Sequence, residues 1–125
     1  KCKRKSIYFI QLLSPTTTKK RLKKIIQDSH PMNYFISMLS TTGGKLKVSP
    51  REILKNYNKI KKINPKKDTV VGFGITEKTI KSLRSVDGLV VGSAICKEIT
   101  KSLNNRQNPV TNVNKLVNRL KIKIK

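Results

Sequence analysis

The chain has 125 residues, enough for one domain, with 29 Lys and Arg against six Asp and Glu and a formal net charge of +23. Hydrophobic residues at 36%, with Ile, Leu and Val throughout, suffice for a core and exclude a disordered tail, while no apolar run reaches the ~18 to 20 residues of a membrane span and no charged-then-apolar leader opens the chain. Cys2, Cys96 and a single histidine, His30, make neither a CxxC pair nor a Cys/His cluster, which argues against a disulfide framework and a zinc site and fits a reducing compartment.

Ile7 to Leu13 is a nearly continuous apolar run, as expected of a strand buried on both faces, and Ser14-Pro15 ends it. From Thr17 to Asp28, Leu22, Ile25 and Ile26 share one helical face among lysines, and Pro31 prevents continuation. Tyr34 to Leu39 reads as a second strand, and Ser40 to Val48 as a polar, glycine-bearing loop. Ser49-Pro50-Arg51-Glu52 is a helix start with a capping box and proline at the first helical position; Ile53, Leu54, Tyr57, Ile60 and Ile63 mark the inward face. Asn64 to Asp68 is a turn, Thr69 to Phe73 a third strand, and Thr76 caps a helix burying Ile80 and Leu83. Leu89 to Val91 is a fourth strand, followed by a Gly92-Ser93 turn and a helix from Ala94 to Leu103 with Ile95, Ile99 and Leu103 inward. Asn104 to Asn112 reads as a polar linker, and Val113, Leu116, Val117 and Leu120 as a last helix face before a lysine-rich tail.

Strands alternating with helices in the order β-α-β-α-β-α-β-α-α predict right-handed crossovers and a parallel sheet. An open doubly wound sheet and a (β/α)8 barrel share that signature. A whole barrel takes ~250 residues, so four strand-helix units would be about half of one.

A charge of +23 ordinarily points to nucleic acid, whose phosphates attract clustered cations. Here 23 of the basic residues are Lys, and the chain also holds 14 Ile and ten Asn, all with A/T-rich codons. The lysines sit on the polar sides of helical segments, aromatic residues are few, and no RNP, zinc-finger or KH signature occurs, which weighs against a dedicated nucleic-acid module.

In a parallel α/β fold the chemistry collects at the strand C-termini. Thr41-Thr42-Gly43-Gly44 follows the second strand, Gly72-Phe73-Gly74 the third and Gly92-Ser93 the fourth. Any one of these glycines is explained by a tight turn. Together, with the Ser93 hydroxyl at a helix start, they suit close backbone approach to a phosphate. The acids are Asp28, Glu52, Asp68, Glu77, Asp87 and Glu98, and none falls clearly on that rim: Glu52 belongs to a cap, Glu77 to a helix first turn, and Asp68 and Asp87 precede strands on the opposite rim. His30, before Pro31 at a helix end, is read as a surface residue. No catalytic set is complete.

Val71-Gly72-Phe73-Gly74-Ile75 followed by Asp87-Gly88-Leu89-Val90-Val91-Gly92-Ser93-Ala94-Ile95 resembles the final two strand motifs of the tryptophan synthase alpha chain family. Leu13-Ser14-Pro15-Thr16-Thr17 resembles the turn after that family's fifth strand, and Tyr34 to Gly43 its sixth strand and mobile loop, so the likeness runs from about Ser6 to Leu120. The resemblance implies the C-terminal half of a (β/α)8 TIM barrel, one partial domain over residues 1–125 carrying strands five to eight, four parallel strands alternating with helices. It implies a lyase that cleaves indole-3-glycerol phosphate to indole and glyceraldehyde 3-phosphate in tryptophan biosynthesis, cofactor-free itself. Its partner would be a PLP-dependent beta subunit in an alpha2beta2 assembly, in the cytoplasm or a plastid, with no specific nucleic acid and no membrane. Gly43, Gly74, Gly92 and Ser93 match the family's phosphate-binding positions. Tyr34 and Phe73 match its pocket lining, and Thr42 matches the loop threonine that closes over substrate and bonds the catalytic aspartate.

Ser40 stands where the family has glycine and Gly44 where alanine is common, so the loop hinge differs. The family's catalytic glutamate and aspartate belong to its second strand and the following loop, with no counterpart here, and the first residue is Lys1 rather than methionine. The expectation is an incomplete chain, inactive alone, with open sheet edges and an exposed barrel interior. Another phosphate-binding barrel, such as a histidine-pathway cyclase or an isoprenoid-glycerol phosphate synthase, is the alternative that the Ser-Pro-Thr turn and the Tyr34 to Gly43 segment speak against.

Overall fold

The computed structural model describes residues 5–29, 31–37, 40, 41, 44, 45, 49–72 and 75–124. In chain order these form β1 (Gln11–Leu13), α1 (Lys19–Asp28), β2 (Asn33–Ile36), the short strands β3 (Ser40–Thr41) and β4 (Gly44–Lys45), α2 (Pro50–Ile63), β5 (Thr69–Gly72), a 3-10 helix (Ile80–Leu83), β6 (Gly88–Val90), α3 (Ser93–Asn104) and α4 (Pro109–Ile124). One sheet runs β1-β2-β5-β6 with every neighbouring pair parallel. Leu13, Phe35, Val71 and Leu89 lie in one register row, and Leu12, Tyr34, Val70 and Gly88 in the next.

Side chains alternate between the two faces of a strand, so these rows point opposite ways. Leu13, Phe35 and Val71 are buried beneath the helices, joined by Ile26 of α1, Ile53, Tyr57 and Ile60 of α2, Ile80 and Leu83, and Leu116 and Leu120 of α4. On the other face Leu12 is 59% exposed and Val90 38% exposed, and Tyr34, Ile36 and Val70 are half-buried. Helices cover one face of the sheet and nothing among the described residues covers the other.

Local chemistry sets the helix ends. The Thr18 hydroxyl accepts from Arg21 N–H at the start of α1, and Ser49 Oγ accepts from Glu52 N–H at 3.3 Å ahead of Pro50. At the far end of α1 the Lys67 ammonium donates to the carbonyls of Ile26 and Ser29, which have no partner within their own helix. The α3–α4 connection is shorter than the expected linker. Arg106 takes φ 54°, Gln107 N–H donates to Ser102 O at 2.8 Å and Arg106 N–H to Leu103 O at 3.0 Å, a Schellman ending with arginine in the left-handed position. Asn108 Oδ1 then accepts from Val110 N–H at 2.9 Å and Pro109 opens α4, which carries helix through to Ile124 instead of a loose tail.

Four expectations need correction. The first strand is only Gln11–Leu13; Ile7, Tyr8 and Phe9 are more than half exposed, because β2 offers β1 no partner before Asn33 and the inner face has no cover. The stretch after the second strand contains an antiparallel pair, Ser40↔Lys45 and Thr41↔Gly44. The segment after the third strand is a 3-10 turn and not an α-helix: Ile80 and Leu83, three apart, stack on one side and are both fully buried. In α3, Ile99 and Leu103 are 37% and 60% exposed, and the buried residue is Ser102, whose hydroxyl donates to Glu98 O and accepts from Asn112 of α4. Packing of α4 on that side rotates the expected apolar stripe outward.

Candidate functional site

Tyr34, at the centre of β2, lies on the uncovered face beside Gly72, the last residue of β5. A Cβ at position 72 would fall 2.0 Å from the Tyr34 hydroxyl oxygen and 2.5 Å from Cζ, so only glycine permits the ring to lie across β5. The Gly72 carbonyl is held in turn by Ser37, whose N–H donates at 3.1 Å and whose hydroxyl donates at 2.8 Å. One strand further on, Gly92 is the N-cap of α3, and its carbonyl accepts from Ile95 and Cys96 N–H. Gly92 has open space where a Cβ would stand, and Ser93 is exposed. Among the described residues nothing accepts from the N–H groups of Ser93 and Ala94, so the positive end of a 12-residue helix faces outward at the C-terminal rim of the sheet.

Of the seven sequence-predicted site residues, Gly92 and Ser93 stand past the C-terminal end of β6, whereas Tyr34 lies within β2, level with Val70 and Gly88, and its ring reaches Gly72. Thr42, Gly43, Phe73 and Gly74 lie outside the described residues, as do Cys2 and His30. Gly72 enters the sequence reading only as part of a motif, and its pairing with Tyr34 follows from the diagonal register of β2 and β5, which no sequence pattern states.

The opposite rim holds most of the acid chemistry. Asp87 Oδ2 accepts from Lys61 Nζ at 2.9 Å and from Thr69 N–H at 2.8 Å, while Asp87 N–H donates to the Tyr57 hydroxyl at 3.2 Å. Partial burial disfavours the Asp87 carboxylate, yet the hydrogen bonds from Lys61, Thr69 and Tyr57 outweigh it and hold the group below the usual carboxylate range. Burial, reinforced by Asp87, pushes the Tyr57 phenol up to about 12. Lys61 also donates to Lys67 O, so α1, α2, β5 and β6 are tied together at this end by one chain of contacts. Glu77 is engaged elsewhere, by Lys123 and Arg119 of α4, whose hydrogen bonds lower its carboxyl. Asp68 and Asp87 precede their strands as expected, and neither reaches the rim that carries Ser93.

A cleft of about 840 Å³ between α1 and α2 is lined by Lys19, Lys23, Lys59 and Lys62 over Leu22 and Ile60. Ser14, Pro15 and Thr17, which follow β1, and Phe35 of β2 also line it. Among the described residues no three His, Cys, Asp or Glu side chains converge as metal ligands, and no helix is long and apolar enough to cross a membrane.

The family model described as tryptophan synthase alpha chain matches residues 1–125. The tryptophan synthase alpha chain of Pelagibacter ubique (strain HTCC1062) is 68% identical over 124 residues, 99% of this chain and 47% of that protein. That of Aquifex aeolicus (strain VF5) is 38% identical over 91 residues, 71% of this chain and 34% of that protein. The crystal structure of tryptophan synthase subunit alpha from Legionella pneumophila str. Paris superposes with a TM-score of 0.80 at 26% identity, over 98% of this chain and 44% of that one. This chain spans about half the length of the curated relatives it matches.

Proposed function

The chain belongs to the tryptophan synthase alpha chain family, and from that premise we propose that it supplies the phosphate-binding half of a barrel lyase acting on indole-3-glycerol phosphate. The fold is that of the family's TIM barrel, of which the chain has four parallel strands. The observation that carries the proposal is the outward-facing N-terminus of α3, with Ser93 and Ala94 N–H groups unengaged among the described residues and the Ser93 hydroxyl beside them. Helix N–H groups and the helix dipole stabilise a phosphate dianion at such a terminus. Tyr34 of β2, whose ring reaches Gly72 at the end of β5, supplies an aromatic wall for the indole ring in this reading. Gly43, Gly74, Phe73 and Thr42 complete the binding half in this reading.

Cleavage of the substrate's carbon–carbon bond to release indole needs a proton donor and a proton acceptor at the bond that breaks. Asp68 and Asp87 precede β5 and β6 on the far rim, and Glu77 is paired with Arg119 and Lys123 of α4. We assign both proton-transfer roles to carboxylates of the family's preceding half, so that this chain alone binds without turning over. The reading extends to cytoplasmic tryptophan biosynthesis with no cofactor in this subunit, and to a PLP-bearing beta subunit that receives the indole in an alpha2beta2 assembly.

Amide NMR during titration with glycerol 3-phosphate tests the binding half. The Gly92, Ser93 and Ala94 resonances shift saturably, and Ser93→Pro, which removes an N–H at a position where helices accept proline, weakens binding several-fold. A titration that leaves all three resonances in place refutes the proposed phosphate site.

A further inference from the structure

We propose that the cleft between α1 and α2 is a second binding site, for a free single-chain amphiphilic anion: an alkyl or acyl chain that ends in a phosphate or carboxylate. Both walls and the floor belong to this chain. Lys19, Lys23 and Gln27 follow one another at four-residue steps along α1, and Asn56, Lys59 and Lys62 at three-residue steps along α2. Residues three or four apart are neighbours on a helix surface, so each helix lines the cleft with a polar row. Between the rows the lining is apolar: Leu22 and Ile63 are half-buried, and Phe35 and Ile60 are buried. The volume of about 840 Å³ falls in the range of small-molecule sites, ~300 to 1,000 Å³. The cleft adjoins β1 and β2, whereas Ser93 follows β6 at the other end of the sheet, so the two sites are separate.

Charge and apolar lining together select the occupant. Lys19, Lys23, Lys59 and Lys62 are exposed, and no Asp or Glu lines the cleft among the described residues. The ion pairs among those residues use Lys61, Arg119 and Lys123 instead. Lys19 and Lys23, like Lys59 and Lys62, are like charges at helix-neighbour spacing, a repulsion that a bound anion relieves. Each ammonium stands on an apolar stem, so the charged heads reach the mouth while the stems extend the floor. An inorganic ion leaves that floor wet, and an uncharged apolar molecule makes no use of the ammonium groups. A nucleic-acid strand needs exposed aromatic rings for its bases, and the cleft's aromatic residue, Phe35, is 1% exposed. A bilayer does not reach apolar surface recessed between two helices. A single chain laid along Leu22, Ile60 and Ile63, with its anionic head between the lysine rows, satisfies both parts of the lining.

Amide NMR of this chain, alone and joined behind the first half of the Pelagibacter ubique relative, tests this by titration with hexyl, octyl and decyl phosphate below their micelle concentrations. The Leu22, Lys23, Asn56 and Lys59 resonances shift saturably. Affinity there rises about two- to fourfold per added CH2, so decyl phosphate binds at least tenfold tighter than hexyl phosphate, and inorganic phosphate leaves these resonances in place. Lys23→Glu with Lys59→Glu weakens decyl phosphate binding at least tenfold. Lys20→Glu with Lys24→Glu, the same charge change on exposed residues of α1 outside the cleft, alters it less than twofold. If the first pair disturbs the fold, Lys23→Gln with Lys59→Gln serves, with a loss of several-fold. Shifts confined to Gly92, Ser93 and Ala94, or to Leu12 and Val90 on the inner sheet face, overturn the proposal. So do equal losses in the two charge-reversed pairs, an affinity that ignores chain length, or binding to phosphatidylglycerol vesicles without any response to the soluble alkyl phosphates.

Discussion

Replacing Gly72 by alanine puts a methyl group where the Tyr34 ring now lies. The added Cβ would stand 2.0 Å from the hydroxyl oxygen, 2.5 Å from Cζ and 2.8 Å from Cε1, so the ring must move by about 1 Å or more to restore ordinary contact at roughly 3.4 Å or beyond. Backbone retreat is restricted, because the Gly72 carbonyl is fixed by two bonds from Ser37 and the strand is paired on both sides. Overpacking of this kind costs ~1 to 3 kcal/mol. Tyr34→Leu shortens the offending side chain and alone costs about 1 to 2 kcal/mol in lost apolar burial. Once Tyr34 is leucine, the alanine at 72 has room, so the double variant loses little more than Tyr34→Leu alone, ~1 to 3 kcal/mol less than the sum of the two single losses. Urea unfolding of wild type, both single variants and the double variant, all at one chain concentration, closes the cycle. Additive losses would show that Tyr34 and Gly72 do not constrain each other and would refute the reasoning about this rim.

Three further outcomes follow from the opposite rim and the last two helices. Asp87 titrates lower in the fold than in the unfolded chain, so its contribution is present above the ordinary carboxylate pKa and disappears as pH falls through the lowered value. Asp87→Asn should flatten that acid limb in unfolding curves taken between pH 2 and 6. Tyr57 goes the other way: its stabilisation holds below about pH 10 and is lost progressively as pH rises toward about 12. Tyr57→Phe should remove this alkaline loss in unfolding curves taken between pH 9 and 12, while costing about 1 kcal/mol at pH 7 through the hydrogen bond from Asp87 N–H. Arg106→Gly should raise the melting temperature, since a left-handed φ of 54° costs a non-glycine residue ~1 kcal/mol; a variant no more stable than wild type would contradict the Schellman reading.

The parts of the fold that can be read from sequence are those in which one element determines its own register. The helix faces of α1 and α2 and the Ser49-Pro50 start are local patterns, and Ile26, Ile53, Tyr57 and Ile60 are buried accordingly. Positions governed by what packs from elsewhere are harder to read. The apolar run from Ile7 looks buried on both faces, yet its exposure depends on a neighbouring strand and an inner cover that lie outside the run itself. The apolar stripe of α3 misleads because α4 packs on Ser102, a polar residue made acceptable by its bonds to Glu98 O and Asn112. Asn108-Pro109 does carry a readable helix-start signal, a cap followed by proline, hidden inside a stretch that looks like linker. At the candidate site, Gly92 and Ser93 are legible because a glycine-serine turn after a strand is a local signature. The Tyr34–Gly72 contact is not, since it joins residues on two strands through a diagonal register.

A chimera in which the first half of the Pelagibacter ubique alpha chain precedes this chain should release indole from indole-3-glycerol phosphate, and this chain alone should release none. In the chimera, Ser93→Pro should raise KM for the phosphate substrate more than it lowers kcat. A folded chimera that neither binds nor cleaves indole-3-glycerol phosphate would contradict the assignment of this half as the phosphate-binding part of the lyase.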